Sequence, residues 1–327
     1  MRTGGFHADT LWEAPLILRR TVMIVLLSRS ENIHSDAVVE GCGEHADVVR
    51  VNFDFDQFSV QGFSDVVLGN LVGKKTVRSV FVHHPRVTFK DEWFEDDIER
   101  KIFVASWDSF KEWMEFAYPY ALWVNRPSST HKSRNILGQL SLASSLGLSV
   151  PPTLFTNSLK ELRGFSTGGR VVIKQGNLGV NLDGKRILTS LVDVDSISED
   201  ILKGCPCLFQ LYTPKKYELR IHVIGDEVLA CKIDSQKSEK TRIDWRNFDI
   251  DNTPHEPFKL HSSVRDVCIK LVRQLGLGFG IIDMVVSPTG EYVFLECNAQ
   301  GHWIWVEELT ELPITKTLCD YLLGGSA

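Results

Sequence analysis

Asp283, Glu296 and Asn298 lie in two apolar runs joined by Ser287-Pro288-Thr289-Gly290. Runs rich in Ile, Val and Phe around a Pro/Gly turn predict a β-hairpin. A turn centred between Thr289 and Gly290 sets Asp283 directly opposite Glu296. Side chains alternate along a strand, so Glu296 and Asn298 share one face and Cys297 points away. Directly opposed residues have Cβ atoms about 5 Å apart, where like charges destabilise a sheet. Two carboxylates and an amide oxygen together are donors for a hard cation. Mg²⁺ takes such donors alongside phosphate oxygens. The plain alternative is a solvated acidic face, and the hairpin alone weighs the two about equally.

Other charged residues extend the pattern. Lys132 opens a predicted helix, and Lys174 ends the strand Arg170-Val171-Val172-Ile173 beside the loop Gln175-Gly176-Asn177-Leu178-Gly179. Glu218 and Arg220 share a face of a predicted strand, 217–224. Taken singly, a lysine is a solvated surface residue by default, but Lys174 follows a run that reads as buried. Cations beside a divalent-metal site are what a triphosphate requires, because phosphoryl transfer rests on positioning and charge neutralisation. Lys174 would act as a point charge, supplemented by amides of the 175–179 loop. An irregular polar stretch, 235–257, carries Lys237, Lys240, Arg242, Asp244, Trp245 and Arg246.

The elements that must hold these residues are an α/β region followed by α+β regions. Strands are predicted at Met23–Leu27, Val48–Phe53 and Val77–Val82, with a helix at Ser35–Cys42. A helical, acidic and aromatic stretch runs from Phe89 to Phe116, and Leu122–Asn125 stops at Arg126-Pro127. One helix is expected after Ser128-Ser129, running to about Leu146, with Gly147 as its cap. A strand at Leu208–Tyr212, a hairpin of Tyr217–Ile224 and Glu227–Ile233, and a helix from Ser263 to Leu275 precede the acidic hairpin. His83 and His84 are adjacent on a strand end and face opposite ways, which argues against a shared metal site.

The chain has 327 residues, 43% hydrophobic and 24% charged, with a net charge of −6. That balance argues against a general nucleic-acid or anionic-membrane surface. No apolar run reaches the length of a membrane span, and the first twenty residues carry Asp9 and Glu13, unlike a signal peptide. Residues 1–22 are expected to be an extension outside the fold, because Met23 directly precedes the first strand. Seven cysteines without metal spacing or a secretory signal point to reduced thiols and a cytoplasmic protein.

The order of these motifs resembles the ATP-grasp superfamily. The pieces that match are Lys132, Val172-Ile173-Lys174, Gln210-Leu211-Tyr212, Glu218-Leu219-Arg220, and Asp283 with Glu296-Cys297-Asn298. Within it the chain looks most like the graspetide (microviridin-type) peptide macrocyclases, through Trp123-Val124-Asn125-Arg126-Pro127, Leu146–Asn157, Pro214–Arg220 and Phe294–Trp303. The departures are His83-His84 where relatives carry arginines, and His302 where glutamine is frequent. The resemblance implies an ATP-grasp fold: a pre-ATP-grasp α/β domain at 23–127, a central domain at 128–207 and a C-terminal domain at 208–327.

It also implies ATP and Mg²⁺. Lys132 and Lys174 resemble the phosphate lysines, Gln210, Leu211 and Tyr212 the adenine hinge, and Lys215 and Glu218 the base or ribose site. Arg220 would face phosphate and the acyl intermediate, and Asp283, Glu296 and Asn298 would hold the metal. Asp244-Trp245-Arg246 resembles an Asp-x-Arg element that engages the peptide, with Arg246 on the carboxylate and Asp244 orienting the nucleophile. The implied partner is a ribosomal precursor peptide with a leader, and the resemblance leaves a homodimer open. Two other readings stand beside macrocyclisation: a ligase that joins a separate acceptor, and a nucleotide-binding protein without catalysis.

Overall fold

The computed structural model describes residues 22–53, 59–60, 66–67, 77–85, 89–166, 170–174, 181–182, 185–186, 190–247 and 249–324. The expected phosphate loop at 175–179 and residues 1–21 of the expected extension at 1–22 lie outside them.

The first region comprises β1 (Met23–Ser28), α1 (Ile33–Gly43), β2 (Asp47–Asn52), the short strands β3 (Ser59–Val60) and β4 (Val66–Val67), β5 (Val77–Val82), α2 (Asp97–Ala117) and β6 (Leu122–Val124). Strands β2-β1-β5-β6 form one parallel sheet. Every residue of β1 is buried, as expected for a parallel strand covered on both faces. Alternation divides it: Met23, Val25 and Leu27 pack with Phe110 and Met114 of α2, while Ile24 and Leu26 pack with Val38 of α1.

The second region comprises α3 (Pro127–Ser133), α4 (Ile136–Ser145), β7 (Thr153–Thr156), α5 (Leu159–Ser166), β8 (Arg170–Lys174), the short strands β9 (Asn181–Leu182) and β10 (Lys185–Arg186), β11 (Ser190–Asp193), α6 (Glu199–Gly204) and β12 (Cys207–Leu211). The single helix expected up to Leu146 is two helices. Asn135 breaks it: its side chain accepts from Gly138 N at 3.0 Å and starts α4 afresh. Gly147 follows α4 with φ +87°, the left-handed turn that favours glycine. Strands β11-β8-β12-β7 form an antiparallel sheet over Leu162 and Leu202.

The third region comprises β13 (Tyr217–Ile224), β14 (Glu227–Ile233), β15 (His255–Phe258), α7 (Ser262–Gln274), β16 (Phe279–Val286), β17 (Tyr292–Asn298), α8 (Ile304–Thr310) and α9 (Ile314–Leu323). Its five strands run β15-β14-β13-β16-β17, all antiparallel. One face packs Leu219, Ile221, Ile282, Met284 and Phe294 against Cys268, Leu271 and Val272 of α7. The other face carries Glu218, Arg220, Asp283 and Glu296.

Helix α9 packs on this sheet and on the first one as well. Ile314, Leu318 and Leu322 join the core formed by Ile24, Leu26 and Phe81, and Ser79 Oγ donates to Leu322 O at 2.8 Å. The first sheet thus owes part of its cover to residues 314–323. Asn125 also ties the first region to the third. Its amide nitrogen donates to Phe279 O (2.7 Å) and Ala299 O (2.8 Å), and its oxygen accepts from Gly278 N and Phe279 N. Among the described residues no helix is long and apolar enough to cross a membrane.

Candidate active site

The second and third sheets face each other across a cleft. Lys174, Gln210, Leu211, Tyr212, Lys215, Glu218, Asp244, Arg246, Asp283 and Glu296 all line it. Arg220 and Asn298 are bonded to the carboxylates at its floor. Lys132 is not brought there; it is exposed in the last turn of α3, outside the lining.

The hairpin pairs Asp283 with Glu296, but not through the turn the sequence suggested. Val286 pairs with Tyr292 and Met284 with Phe294, so the turn centres on Thr289, with Gly290 at φ +88°. Leu295 then has no partner in the ladder, and the register resumes at Asp283 and Glu296. This β-bulge turns Glu296 and Asn298 to the cleft while Phe294 and Cys297 stay in the core under α7. Lys174 Nζ reaches the carbonyl of the bulged Leu295 at 3.5 Å and Glu296 Oε2 at 3.7 Å.

Arg220 is the cross-strand neighbour of Asp283, and its Nη1 donates to Asp283 Oδ1 (2.9 Å) and Oδ2 (3.2 Å). Asn298 Nδ2 donates to Asp283 Oδ2 (3.3 Å) and Glu296 Oε1 (3.2 Å). The two acids respond differently to this setting. Burial, reinforced by Glu296, lifts the Asp283 carboxyl above its usual range against the pull of Arg220 and Arg246. Burial also works against ionising Glu296, but Lys174, Arg246, Asn298 and Arg220 outweigh it and hold that carboxyl low.

At the far end, Lys215 Nζ donates to Glu218 Oε1 (2.7 Å) and Ile243 O (2.8 Å). Burial raises the Glu218 carboxyl despite that lysine. Gln210 is buried and donates to Thr153 Oγ1 at 3.0 Å, and the Leu211 N–H is taken by Pro152 O. Above the cleft, Asp244 and Arg246 form a two-point pair, Nε–Oδ1 2.9 Å and Nη2–Oδ2 2.7 Å. Asp244 is buried, yet Arg246 keeps its carboxyl below the ordinary value. The sequence reading gave Asp244 to a nucleophile; here its oxygens are committed to Arg246.

Two supporting residues escaped the sequence reading. Gln139 of α4 grips the peptide unit between the two cleft-facing residues of β17: its Nε2 donates to Cys297 O (2.9 Å) and its Oε1 accepts from Cys297 N (2.7 Å). A glutamine inside an amphipathic helix carried no sign of this, although its place on the buried face was a weak one. Trp305 of α8 stacks on Trp245, centroids 5.0 Å apart.

The donors fit a hard divalent ion. The three cations Lys174, Arg220 and Arg246 balance Asp283, Glu296 and Asp244, so an added triphosphate would leave the cleft strongly negative without one. Among the described residues no three His, Cys, Asp or Glu side chains are grouped to hold a metal. An ion here would therefore rest on two carboxylates and the Asn298 amide, and complete its shell from water and phosphate, the manner of Mg²⁺.

No family model and no curated protein matches the sequence. Solved structures do match. A RiPP-associated ATP-grasp ligase of Chryseobacterium gregarium, seen with ADP and a leader and core peptide, is 26% identical with a TM-score of 0.77, covering 92% of this chain and 96% of that one. The macrocyclase MdnB of Microcystis aeruginosa MRC is 25% identical with a TM-score of 0.72, over 93% of this chain and 99% of its own. The macrocyclase MdnC of the same organism, bound to its precursor peptide MdnA, is 22% identical with a TM-score of 0.76, over 92% and 99%. This chain has the ATP-grasp fold, in the form it shares with RiPP-associated ligases and peptide macrocyclases.

Proposed function

We propose that the protein is an ATP-dependent carboxylate ligase that closes rings in a ribosomally made precursor peptide. Side-chain carboxylates would be joined to hydroxyl or amine groups as esters or amides, in the cytoplasm. Domains at 23–127, 128–207 and 208–327 are its working parts in this reading. The observation that carries the proposal is one cleft in which Lys174, Arg220 and Arg246 converge on the opposed pair Asp283 and Glu296. The likeness to the Chryseobacterium gregarium ligase, whose complex holds ADP with leader and core peptide, supports it.

Gln210, Leu211 and Tyr212 border the base, and Lys215 and Glu218 the base or ribose. Mg²⁺ held by Asp283, Glu296 and Asn298 would supply charge neutralisation on phosphate oxygens. Lys174 and Arg220 address the same oxygens. A peptide carboxylate oxygen attacks the γ-phosphorus, ADP leaves, and an acyl phosphate forms. A hydroxyl or amine then attacks the acyl carbon, loses its proton, and inorganic phosphate leaves. Arg246 orients the carboxylate. Asp244 holds the Arg246 guanidinium in place for it. Lys132, on α3, lies outside the lining of the cleft, and Lys174 carries the phosphate contact.

Incubation with MgATP and a leader-bearing peptide rich in Glu, Asp, Thr, Ser and Lys tests the proposal. The expected product is lighter by one water per ring, with ADP released. Bound nucleotide with unchanged peptide mass counts against ring closure. ADP release only with a separate amine acceptor moves the reading to intermolecular ligation.

A further inference from the structure

Arg220 is held by its nitrogens and by two indoles. Nη1 is bonded to Asp283 and Nη2 to His302 O at 3.0 Å. The two indoles lie together on one side of the guanidinium: its Cζ is 5.3 Å from the Trp245 ring centre and 5.7 Å from that of Trp305. The indoles stack on each other at 30°, and His255 meets Trp305 edge-on at 5.5 Å. The two tryptophans come from different places. Trp245 sits between Asp244 and Arg246 in the irregular 235–257 segment. Trp305 stands on the first turn of α8, anchored by the fully buried Trp303, whose Nε1 donates to Thr315 Oγ1 at 2.9 Å.

The segment that carries Arg246 is tied to the third region by the Lys215–Ile243 hydrogen bond and by β15, and Trp245 adds an aromatic contact beside Arg220 itself. The field of both arginines reaches Asp283 and Glu296. We propose that Trp305 is a positioning residue: it packs against both Trp245 and the Arg220 guanidinium in one aromatic cluster, so that Arg220 and Arg246 meet the same terminal phosphate and the carboxylate that attacks it. A stacked indole supports a guanidinium face without taking up its N–H donors, which stay directed at oxygen ligands. The aromatic pair adds its own preference for that geometry.

The proposal rests on the nucleotide reading given above, and its test needs no peptide substrate. In the full chain, affinities for ADP and for a non-hydrolysable ATP analogue are measured by calorimetry with Mg²⁺ for wild type, Trp305→Leu and Trp305→Phe. Trp305→Leu is expected to lose about tenfold in affinity for the triphosphate analogue, the size that one stack and one desolvated cation–π contact support. Its ADP affinity stays near wild type, because Lys174 and the hinge are untouched. Trp305→Phe, which keeps an aromatic face, recovers most of the loss. A wild-type triphosphate-to-ADP ratio in Trp305→Leu overturns the role, and so does a phenylalanine variant as impaired as the leucine one. A wild-type protein that binds neither nucleotide overturns the nucleotide reading instead. The indole pair itself is then read from its far-ultraviolet exciton couplet in circular dichroism. The couplet is expected in wild type and lost in Trp305→Leu, and its absence from wild type overturns the cluster.

Discussion

Asp283 stands opposite Glu296 because Leu295 bulges out of the ladder between them and the turn. Continued without the bulge, the turn's own register would give Asp283 the partner Leu295 and would drive Glu296 into the core beneath α7. The bulge does two things with one residue. It brings the second carboxylate to the cleft, and it leaves the Leu295 carbonyl turned to Lys174.

Glu296→Gln keeps the side chain's size and its hydrogen bond from Asn298 while removing the charge. Peptide-dependent ADP release is expected to fall at least about a hundredfold, with a higher Mg²⁺ requirement and an unchanged melting temperature. Steady-state assays across a Mg²⁺ titration check this, and wild-type turnover would remove Glu296 from the metal site.

Arg246→Lys tests geometry and not charge. Lysine retains the positive charge but cannot make the two-point pair with Asp244. ADP binding is expected to survive, and product formation to fall by about tenfold or more. A lysine variant with normal product yield would show that charge alone suffices.

Asn125→Ala removes four hydrogen bonds at once in a site that is 1% exposed. Each backbone group left without a partner there costs about 1–3 kcal/mol, so a loss of roughly 3 kcal/mol or more is expected. Denaturant unfolding measures it. Nucleotide affinity should fall only as far as the fold does.

Acid should destabilise the protein through its buried histidines. Burial, with His302 and His84 nearby, pushes His34 down to about 3; burial, with Arg220, pushes His222 down to about 3. Between about pH 6.5 and 3 these rings are neutral in the fold and charged in the unfolded chain. The unfolded state then binds more protons, so stability falls as pH falls, by up to about 1.4 kcal/mol per pH unit for each ring. The raised Asp283 and Glu218 act in the opposite sense. The clean measurement is therefore the difference in melting temperature between wild type and His222→Asn, from about pH 7.5 down to about 4.5. That difference should change in the variant's favour as acid is added.

The carboxylate pair was legible in the sequence, though for a reason that only half holds. The turn centres on Thr289, half a residue earlier than expected, and the bulge at Leu295 compensates. Val293, Phe294 and Leu295 are all apolar, so alternation could not show where the strand slips. Lys174 was legible because a buried strand leads into it. Lys132 had no such support, and it lies on an exposed turn. What the sequence could not reveal were contacts between distant elements. Arg220 beside Asp283, Gln139 on Cys297 and Trp305 on Trp245 each join segments whose local patterns are complete without one another. Asn135 is of a residue type that caps helices, but the apolar period runs on through it and hid the break.

The docking of α9 on β5 has a consequence for how the chain is made. Ser79 and Leu322 are 243 residues apart, and Ile24, Leu26 and Phe81 share a core with Ile314, Leu318 and Leu322. During synthesis the opening sheet leaves the ribosome long before the helix that lies on it. For that interval one of its apolar faces is incompletely covered, a state that attracts chaperones or misassociation. The protein cannot mature strictly from front to back. A layer that begins at Met23 is finished by residues 314–323, so damage near residue 314 should surface as misfolding around residue 24.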